Sequence, residues 1–474
     1  MNAQRDHYQV AIAGAGPGGA LLARELAANG ISVAVYESKA ENALGHNWSD
    51  AVEKSALAAA GFELPDKDNG RYKGRLVKTA EADDNLFEPH RIAPLQIRYP
   101  DLSGATRRGV DFKYITTDRK VLDRRLAEYA EKAGARIFYR HRADSLIGNM
   151  AGPLENIRIE GLRVTDKKRG VAVEVSADVV VDATGYLSVL RTGLIGAPAI
   201  NKKFLGKDLA YACRTVRRLD TKRTASDDLT DHYRYGAFKG YFWTHLHHED
   251  TIDIGGGVKE EAGRIDPMIV IRGMIDERPS VTEEELRGGG GVVLVGVSPW
   301  SLVANGFAAV GDAAGQVIPS TGCGVGGALT GAMFAAETIK AALEGGGCTL
   351  ESLWPYNRQW FINRGCHFAA LSALKDVLQD LTHEEIAFLM KKDIMSDELL
   401  APTINGVFET PDLYAMAKTL FSGISRPTLL MKLNRATTLG RKIFRHYQNY
   451  PKLWNPRSFR QWMRDAEGLF SKIS

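Results

Sequence analysis

The sequence contains few cysteines, and none is arranged for a structural or metal-binding role. The four cysteines of the 474-residue chain are scattered, and no two of them form a C-x-x-C pair. This spacing excludes a disulfide framework and the usual zinc patterns. His247 and His248 are adjacent, and neighbours on a strand point to opposite faces. We therefore expect no bound metal and a reducing, cytoplasmic location.

The sequence also lacks an apolar segment suited to crossing a membrane. Its longest stretch without charged residues, 313–336, contains Pro319 and six glycines, so it indicates a glycine-rich loop that opens a buried helix. The first seven residues lack the apolar core of a secretory signal. Hydrophobic residues make up 44% of the chain and charged residues 25%, which is typical of a folded globular protein and excludes a fibrous or disordered one.

Positive charge is concentrated in the last fifty residues. Residues 426–474 contain eleven basic residues (Lys and Arg) and two acidic residues (Asp and Glu), a net charge of +9. The rest of the chain contains 50 basic and 55 acidic residues, a net charge of −5. Trp454 and Trp462 lie among these arginines, which predicts peripheral contact with an anionic lipid surface. A solvated helical cap on the core is the alternative. No nucleic-acid-binding module accompanies the charge, so we expect no nucleic-acid partner.

Glycine, with 48 residues, is in excess, and one glycine cluster has a recognisable pattern. Residues Gly14–Gly19 read G-A-G-P-G-G between a short apolar run and a helical pattern, and Glu37 ends the next apolar run. In G-x-G-x-x-G the glycines permit a tight turn, close approach of a pyrophosphate to a helix N-terminus and close helix packing, while the acidic residue binds a ribose. This pattern predicts a dinucleotide-binding βαβ unit.

The remaining patterns alternate between helix and strand. Asp118–Lys132 has helical spacing and Arg136–Tyr139 follows as a strand; Ile157–Val164 and Val171–Val175 predict a hairpin, and residues 178–182 a separate buried strand. Residues 207–300 are predicted to be mostly β, with strands at Leu209–Val216, Gly240–Leu246, Thr251–Val258 and Val292–Val297. Beyond residue 350 the pattern is helical.

Two later segments resemble FAD-binding motifs of the flavoprotein group that includes p-hydroxybenzoate hydroxylase. Residues 181–191, V-D-A-T-G-Y-L-S-V-L-R, are similar to the motif D-A-x-G-x-x-S-x-x-R, and residues 311–314 match G-D-A-A, whose Asp accepts from the ribityl chain. The resemblance implies FAD as the cofactor. It implies a site formed by Gly14, Ala15, Gly16, Gly18, Gly19, Glu37, Ser38, Arg119, Ala143, Asp182, Gly185, Gly311, Asp312, Gly322, Gly324 and Val325.

Within this group the chain is similar to the geranylgeranyl reductase family. Residues 311–325, G-D-A-A-G-Q-V-I-P-S-T-G-C-G-V, resemble that family's G-D-A-A-G-x-x-x-P-x-x-G-G-G-I, and residues 241–246, Y-F-W-T-H-L, resemble its Y-x-W-x-F-P on a strand lining the substrate chamber. The resemblance implies a reductase that saturates carbon–carbon double bonds of an isoprenoid or other long apolar substrate. An FAD-dependent monooxygenase, either hydroxylase or epoxidase, or a halogenase of the same superfamily is the alternative; Gly315, where aromatic hydroxylases usually have His, favours the reductase.

The chain departs from the family at two places. His245 and Leu246 replace Phe-Pro, so we expect a different chamber wall, and Leu44–Trp48 lacks the cysteine that archaeal members tend to carry in that loop. The comparable thiol is Cys323, in the flavin loop.

The resemblance implies an α/β fold with a Rossmann-like FAD-binding domain, an inserted antiparallel β-sheet substrate domain and a C-terminal helical region. We expect the first domain to comprise 1–65, 110–200 and 301–350, the second 66–109 and 201–300, and the third 351–474, which includes the basic tail.

Four side chains are candidates for catalysis. Cys323 lies at an expected helix N-terminus, which would lower its pKa, and could serve as a proton donor or redox partner; a merely packed side chain is the alternative. Tyr241 and Trp243 share one face of a strand and are predicted to line an apolar channel or stabilise a carbocation, unless they are core aromatics. His245 shares that face and is a candidate proton relay.

The source of electrons is left open by the sequence. No second G-x-G-x-x-G follows a strand, so we expect no dedicated NAD(P)H domain. NAD(P)H that docks transiently, or a reduced external electron carrier, would then supply the flavin. A flavin-bearing electron-transfer protein at a membrane surface is a third hypothesis, against which the large substrate domain argues.

Overall fold

The computed structural model describes residues 6–64, 95–98, 104–107, 113–223, 232–235, 240–248, 250–259, 266–392, 394, 397–409 and 425–472. These residues form both helices and strands, with parallel strands in the first sheet, which confirms the predicted α/β class. The strands are β1 (Asp6–Ala13), β2 (Val33–Glu37), β3 (Ser49–Glu53), β4 (Leu95–Arg98), β5 (Gly104–Arg107), β6 (Tyr114–Asp118), β7 (Arg136–Tyr139), β8 (His141–Asn149), β9 (Arg158–Asp166), β10 (Val171–Asp182), β11 (Leu209–Leu219), β12 (His232–Tyr235), β13 (Tyr241–His248), β14 (Thr251–Lys259), β15 (Val281–Leu294), β16 (Val303–Ala304) and β17 (Phe307–Ala309).

The helices are concentrated after residue 320, as the sequence predicts. A π-helical turn, Phe361–Gly365, joins the sixth helix to the seventh. The helices are α1 (Pro17–Ala27), α2 (Lys54–Ala59), α3 (Arg119–Lys132), α4 (Met268–Asp276), α5 (Val325–Glu344), α6 (Leu350–Trp360), α7 (Cys366–Gln379), α8 (His383–Lys391), α9 (Asp397–Ile404), α10 (Pro427–Gln448) and α11 (Pro456–Phe470). Within the described residues, none of these helices combines the length and apolar character needed to cross a bilayer.

The first sheet contains the dinucleotide-binding unit. Its strands run in the order β16-β17-β10-β1-β2-β7, and β9 and β8 continue from β10. β1 pairs in parallel with both β10 and β2, and β10 with β17. β2 is buried along its whole length, as expected for a parallel strand with both faces covered. The predicted order of strand, glycine turn, helix and strand is therefore present.

One long strand replaces two predicted ones. The hairpin strand at 171–175 and the buried strand at 178–182 are a single strand, β10. Its first half pairs antiparallel with β9, and from Val175 onward it pairs in parallel with β1. The prediction of two strands was wrong because the change from an alternating to a continuous apolar pattern marks a change of neighbours, not a break in the chain.

The second sheet has the strand order β15-β11-β14-β13-β12-β4-β5 within the described residues. β13 packs its aromatic rings over glycines of β14: an added Cβ at Gly255 would overlap the indole of Trp243, and one at Gly256 the ring of Phe242. Gly255 and Gly256 of β14 therefore make room for aromatic side chains of the neighbouring strand. Apart from residues 95–98 and 104–107, which lie in this sheet, the predicted segment 66–109 is outside the described residues.

Two predictions for residues 207–300 require correction. The strand predicted at Val292–Val297 is instead β15, which starts at Val281 and contains the glycine run 288–291. These glycines lie close to other groups: a Cβ at Gly290 would lie 2.7 Å from the sulfur of Cys213, and one at Gly289 would lie 3.0 Å from the Trp48 ring. Helix α4 was not predicted; it packs Ile271 and Met274 against the sheet.

The basic tail forms α10 and α11, and its aromatic side chains face inward. Trp354 of α6 lies 5.4, 4.9 and 5.0 Å, centroid to centroid, from the rings of Tyr450, Trp454 and Phe459. Trp462 is also buried. These rings complete the core around α6, as in the alternative of a helical cap. The basic side chains, among them Lys442 and Arg457, are exposed, and contact of the tail with anionic lipid stays a prediction.

Candidate functional site

Three parallel strands bring the FAD-like motifs to one edge of the first sheet. Ala13, the last residue of β1, is in register with Asp182 of β10, and Asp182 with Ala309 of β17. The glycine turn, the D-A-T-G loop and the G-D-A-A segment therefore leave the sheet side by side. This carboxyl edge is where open α/β sheets bind their ligands.

The glycine turn has the geometry that a bound pyrophosphate needs. Gly14 adopts a φ of +103°, and a Cβ at Gly19 would overlap the carbonyl oxygen of Gly14. A Cβ at Gly16, by contrast, would meet no atom within 4 Å. Open space thus lies beside the N-terminus of α1, whose first amides can bind an anion. At Gly18, by contrast, an added Cβ would lie 3.4 Å from the carbonyl oxygen of Ala328 in α5.

Glu37 connects this turn to the end of β2. Its carboxylate accepts hydrogen bonds from the backbone amides of Ala15, at 2.8 Å, and Lys39, at 2.7 Å, and the Ser38 hydroxyl lies 3.4 Å away. The carboxylate is therefore held at the position where a ribose would lie beside the glycine turn. Ala143 lies on β8 opposite Val164 and is buried; its contact with FAD stays a prediction.

Asp182 organises the loop that follows β10. One carboxylate oxygen accepts from the amide and hydroxyl of Thr184, and the other from the amides of Leu190 and Arg191. These four bonds hold the loop in place and leave Gly185, with a φ of +81° and open space at its Cβ position, at the sheet edge. Asp182 is thus a positioning residue in this structure, and a direct contact with the cofactor stays a prediction.

Arg191 places a fully buried cation behind this edge. Its guanidinium donates to the carbonyls of Ala313 and Ile200 and to the hydroxyl of Ser188, and lies 5.1 Å from the Phe204 ring centroid. Burial lowers its pKa to about 10, so it stays charged at neutral pH. The cation ties the loop after β10 to the G-D-A-A segment.

The flavin loop, residues 311–324, brings Asp312 against the N-terminus of α5. Gly311 and Gly322 adopt φ values of +65° and +75°, and a Cβ at Gly324 would lie 2.8 Å from a carboxylate oxygen of Asp312. Burial raises the pKa of Asp312. Val325 starts α5 directly after this glycine. The two helix N-termini and the close carboxylate fit a bound FAD, whose pyrophosphate and flavin ring would lie at α1 and α5.

Cys323 lies in this loop, but its thiol differs from the expected one. Its backbone amide donates to the Thr321 hydroxyl at 3.3 Å, and its side chain packs against the main core. Burial raises the pKa of the thiol to about 12. The predicted lowering of this pKa by a helix N-terminus was therefore wrong, because desolvation outweighs the helix dipole at this position.

The aromatic strand β13 meets the flavin loop directly. The Tyr241 hydroxyl donates to the carbonyl of Thr321 at 2.8 Å, and the Tyr241 and Trp243 rings lie 5.7 Å apart. Both rings are half-buried. Of the four catalytic candidates, Tyr241 and Cys323 both bond to Thr321, and Trp243 lies beside Tyr241. His245 lies further along β13 in register with Asp253 of β14.

A charged network that the sequence analysis missed lies beside these residues. Arg119, the first residue of α3, contacts Asp50 at 2.6 Å and Asp123 at 3.2 Å. Asp50 also pairs with Arg214 of β11, which binds the fully buried carboxylate of Asp253 and lies 5.6 Å from the Trp243 ring. The network joins α3 and β3 to the second sheet, and Arg119 is engaged in it.

A second ion pair lies at the first turn of α5. The carboxylate of Glu53 pairs with Arg364 of the π-helical turn, and a Cβ at Gly326 would overlap this carboxylate. The pairs Arg214–Asp253 and Glu53–Arg364 each join residues that are far apart in the sequence, so the spacing of the residues did not reveal them. One signal was available: Asp253 stands alone in the apolar run T-I-D-I of β14, and a charged residue there needs a buried partner.

Comparison with known proteins gives full-length relatives. No family model matches the chain. A curated digeranylgeranylglycerophospholipid reductase of Sulfolobus acidocaldarius is 26% identical over 98% of each chain. Its namesake in Methanothrix thermoacetophila is 25% identical over 84% of this chain and 94% of its own.

Two solved structures share this fold. A geranylgeranyl bacteriochlorophyll reductase-like protein of Thermoplasma acidophilum superposes with a TM-score of 0.67 and 19% identity, covering 91% of this chain and all of its own. The myxobacterial chondrochloren halogenase, described as FAD-dependent, superposes with a TM-score of 0.56 and 18% identity, covering 90% of this chain and 97% of its own. The resemblance of this chain to the geranylgeranyl reductase family of FAD-dependent oxidoreductases, first indicated by its motifs, is thus confirmed over its full length.

Proposed function

We propose that the protein is an FAD-dependent reductase that saturates carbon–carbon double bonds of an isoprenoid or other long apolar substrate. One observation carries the proposal: the aromatic strand β13 is bonded to the flavin loop through Tyr241 and Thr321. An apolar wall therefore lies against the predicted position of the flavin. The full-length relatives named digeranylgeranylglycerophospholipid reductase support the same activity and make the chain an enzyme of the oxidoreductase class.

FAD, when bound, supplies the hydride that reduces the double bond. The glycine turn, Glu37 and Asp312 would hold its pyrophosphate, ribose and ribityl groups, respectively. Arg191 keeps a positive charge behind the site, since its pKa of about 10 leaves it protonated at neutral pH. Arg119, held by its ion pairs with Asp50 and Asp123, would position the cofactor from the start of α3.

The remaining chemistry falls to the side chains of β13 and the flavin loop. Tyr241 and Trp243 line the wall on which an apolar chain would rest, and their rings exclude water from the reacting carbons. Cys323 holds its proton at Sγ at neutral pH, because its pKa is about 12. This protonated state argues against a redox thiolate, and as a proton donor Cys323 would be a weak acid, because efficient general acids have a pKa near the working pH. His245 is the second candidate for moving a proton along this face.

Reducing equivalents are proposed to come from NAD(P)H that docks transiently or from a reduced external carrier. We assign FAD binding to 1–65, 110–200 and 301–350, substrate binding to 66–109 and 201–300, and a helical cap to 351–474. The exposed basic side chains of 426–474 support peripheral contact with an anionic membrane, and a cytoplasmic location is compatible with the four reduced cysteines.

A monooxygenase or halogenase activity is the second candidate. The similarity of the fold to the FAD-dependent chondrochloren halogenase favours it. Gly315 argues against a hydroxylase, because a Cβ there would lie 2.7 Å from the backbone of Ser298, and its φ is +66°. The His that hydroxylases usually carry at this position would not fit this backbone.

Product analysis separates the two candidates. The purified protein is mixed with a prenylated lipid and excess dithionite without oxygen, and the lipid is then examined by mass spectrometry. We expect the lipid to gain pairs of hydrogen atoms under these conditions. Product that forms only in air and contains added oxygen, or added halogen when halide is present, would instead establish the second candidate.

A further inference from the structure

Four large apolar side chains stand in solvent along one short segment. Leu187, Val189, Ile195 and Leu205 are 62%, 44%, 68% and 67% exposed. We propose that this surface, the 187–205 surface, docks on the lipid bilayer that holds the substrate. The proposal rests on the proposed lipid reductase function. Groups of exposed apolar side chains on folded proteins often mark sites of interaction with other proteins or with membranes.

The exposure of these side chains is built into the loop. Ser188 lies between Leu187 and Val189 with a φ of +47°, which is uncommon for a residue with a Cβ. Its hydroxyl points inward and accepts from the buried Arg191 guanidinium at 2.9 Å. Because Ser188 and Leu190 are buried, the two residues that alternate with them are turned outward. The buried cation therefore fixes the apolar side chains in solvent.

A packed apolar cluster connects this surface with the flavin loop. Phe204, which precedes Leu205, is buried in a cluster with Leu294 and Val317, against which Tyr186 packs. Phe204 also reaches the loop itself, since a Cβ at Gly315 would lie 3.1 Å from its ring. An apolar chain that leaves a bilayer at the 187–205 surface would thus meet apolar side chains up to the loop that carries Cys323.

The charges around the surface suit an anionic bilayer. Lys203 and Lys207 are exposed on either side of Leu205. The tail borders the same region through two hydrogen bonds. The hydroxyl of Tyr450 donates to the carbonyl of Trp300 at 2.9 Å, and the backbone amide of the next residue, Ser301, donates to the carbonyl of Ala199 at 2.8 Å. The turn after Tyr450 carries Lys452 and Leu453, which is 75% exposed. Apolar side chains flanked by lysines are the pattern of proteins that insert shallowly into anionic lipid.

Vesicle binding of matched variants tests the proposal. The holoenzyme, Leu187→Ser/Leu205→Ser and the control Val173→Ser/Ile269→Ser are sedimented with phosphatidylcholine vesicles containing phosphatidylglycerol. The control side chains are 45% and 63% exposed; Val173 lies at the far end of β10 and Ile269 on α4. FAD content and melting temperature of each variant show that it is folded.

We expect the wild type and the control to bind alike and Leu187→Ser/Leu205→Ser to bind about tenfold more weakly, because two apolar side chains no longer enter the lipid. Equal binding of all three proteins, equal loss in both variants, or failure of the wild type to bind overturns the proposal. So does a wild-type dimer that the Leu187→Ser/Leu205→Ser variant dissociates, since a second copy would then cover the surface.

The proposed function is tested separately with detergent-dispersed lipid and wild-type protein. If the wild type binds vesicles through this surface but saturates no dispersed lipid, the reductase proposal fails while the docking surface stands. If it saturates dispersed lipid but does not bind vesicles, the surface is wrong and the function stands.

Discussion

The Tyr241 hydroxyl donates a hydrogen bond to the carbonyl oxygen of Thr321, 2.8 Å away. This bond joins the aromatic strand of the second sheet to the loop that follows the G-D-A-A segment of the first. The placement of the proposed substrate wall relative to the proposed cofactor loop therefore depends on a side chain of β13.

Tyr241→Phe should uncouple this strand from the loop while keeping its ring. Loss of one hydrogen bond is expected to lower the free energy of unfolding by about 1 kcal/mol, and a small shift of the wall to lower kcat by about tenfold to a hundredfold with less effect on KM. Urea unfolding and steady-state kinetics measure the two effects. Tyr129→Phe, on α3 beside Phe62, is the control; a normal kcat in Tyr241→Phe would contradict the account.

Gly326→Ala should damage the site through Glu53. The added methyl would overlap the Glu53 carboxylate, so we expect a loss of about 1–3 kcal/mol of stability and weaker retention of FAD, measured by thermal unfolding and by flavin absorbance after gel filtration. Gly468→Ala on α11, where a Cβ meets no atom within 4 Å, should be neutral or stabilising. Adding Glu53→Ala to Gly326→Ala should restore part of the loss; no restoration would show that Glu53 is not the obstacle.

The cysteines should resist alkylation in the folded protein. Burial raises the pKa of Cys323 and of Cys348 to about 12, and it also raises those of Cys213 and Cys366. Iodoacetamide at pH 8 should therefore label none of them until urea is added, when mass spectrometry should count four adducts. Rapid labelling of Cys323 in the folded state would revive the reactive thiolate that the sequence predicted.

The same pKa shifts predict alkaline destabilisation. Below the unfolded pKa of a thiol, about 8.5, the thiol keeps its proton in both the folded and the unfolded state. The stability of a protein whose folded-state thiol pKa is raised is therefore fully present in this pH range. As the pH rises above that value, the unfolded chain ionises first, and stability is lost progressively toward pH 12. Unfolding in urea from pH 8 to 11 should show this fall, and replacing Cys323 by Ala should reduce it; a flat profile would contradict the shifts.

Arg214→Gln should leave the buried Asp253 without its guanidinium partner. Removing one member of a buried pair costs about 3 kcal/mol or more, whereas Arg163→Gln, which breaks the exposed pair with Glu174 at 2.8 Å, should cost under about 1 kcal/mol. A double-mutant cycle with Asp253→Asn measures the coupling by urea unfolding. Additive effects would show that the two side chains of these adjacent strands are not coupled.

The sequence predicts local patterns well and long-range pairings poorly. The βαβ unit, the edge where the motifs meet and the aromatic pair on β13 follow from spacing and periodicity. The pairs Arg214–Asp253 and Glu53–Arg364 do not, because each joins residues that only the tertiary fold brings together. The direction of the pKa shift of Cys323 was predicted wrongly for a related reason. The sequence shows that this residue lies at the start of a helix, but it does not show how deeply the thiol is buried.

Reoxidation of the reduced flavin by lipid tests the central claim most directly. The purified protein is reduced with dithionite, freed of excess reductant without oxygen and mixed in a stopped-flow instrument with a detergent-dispersed prenylated lipid, while the flavin absorbance is recorded. The account predicts that oxidised flavin returns without oxygen and that one double bond is saturated per flavin. Flavin that stays reduced until air is admitted, with an oxygenated or halogenated product, would contradict it.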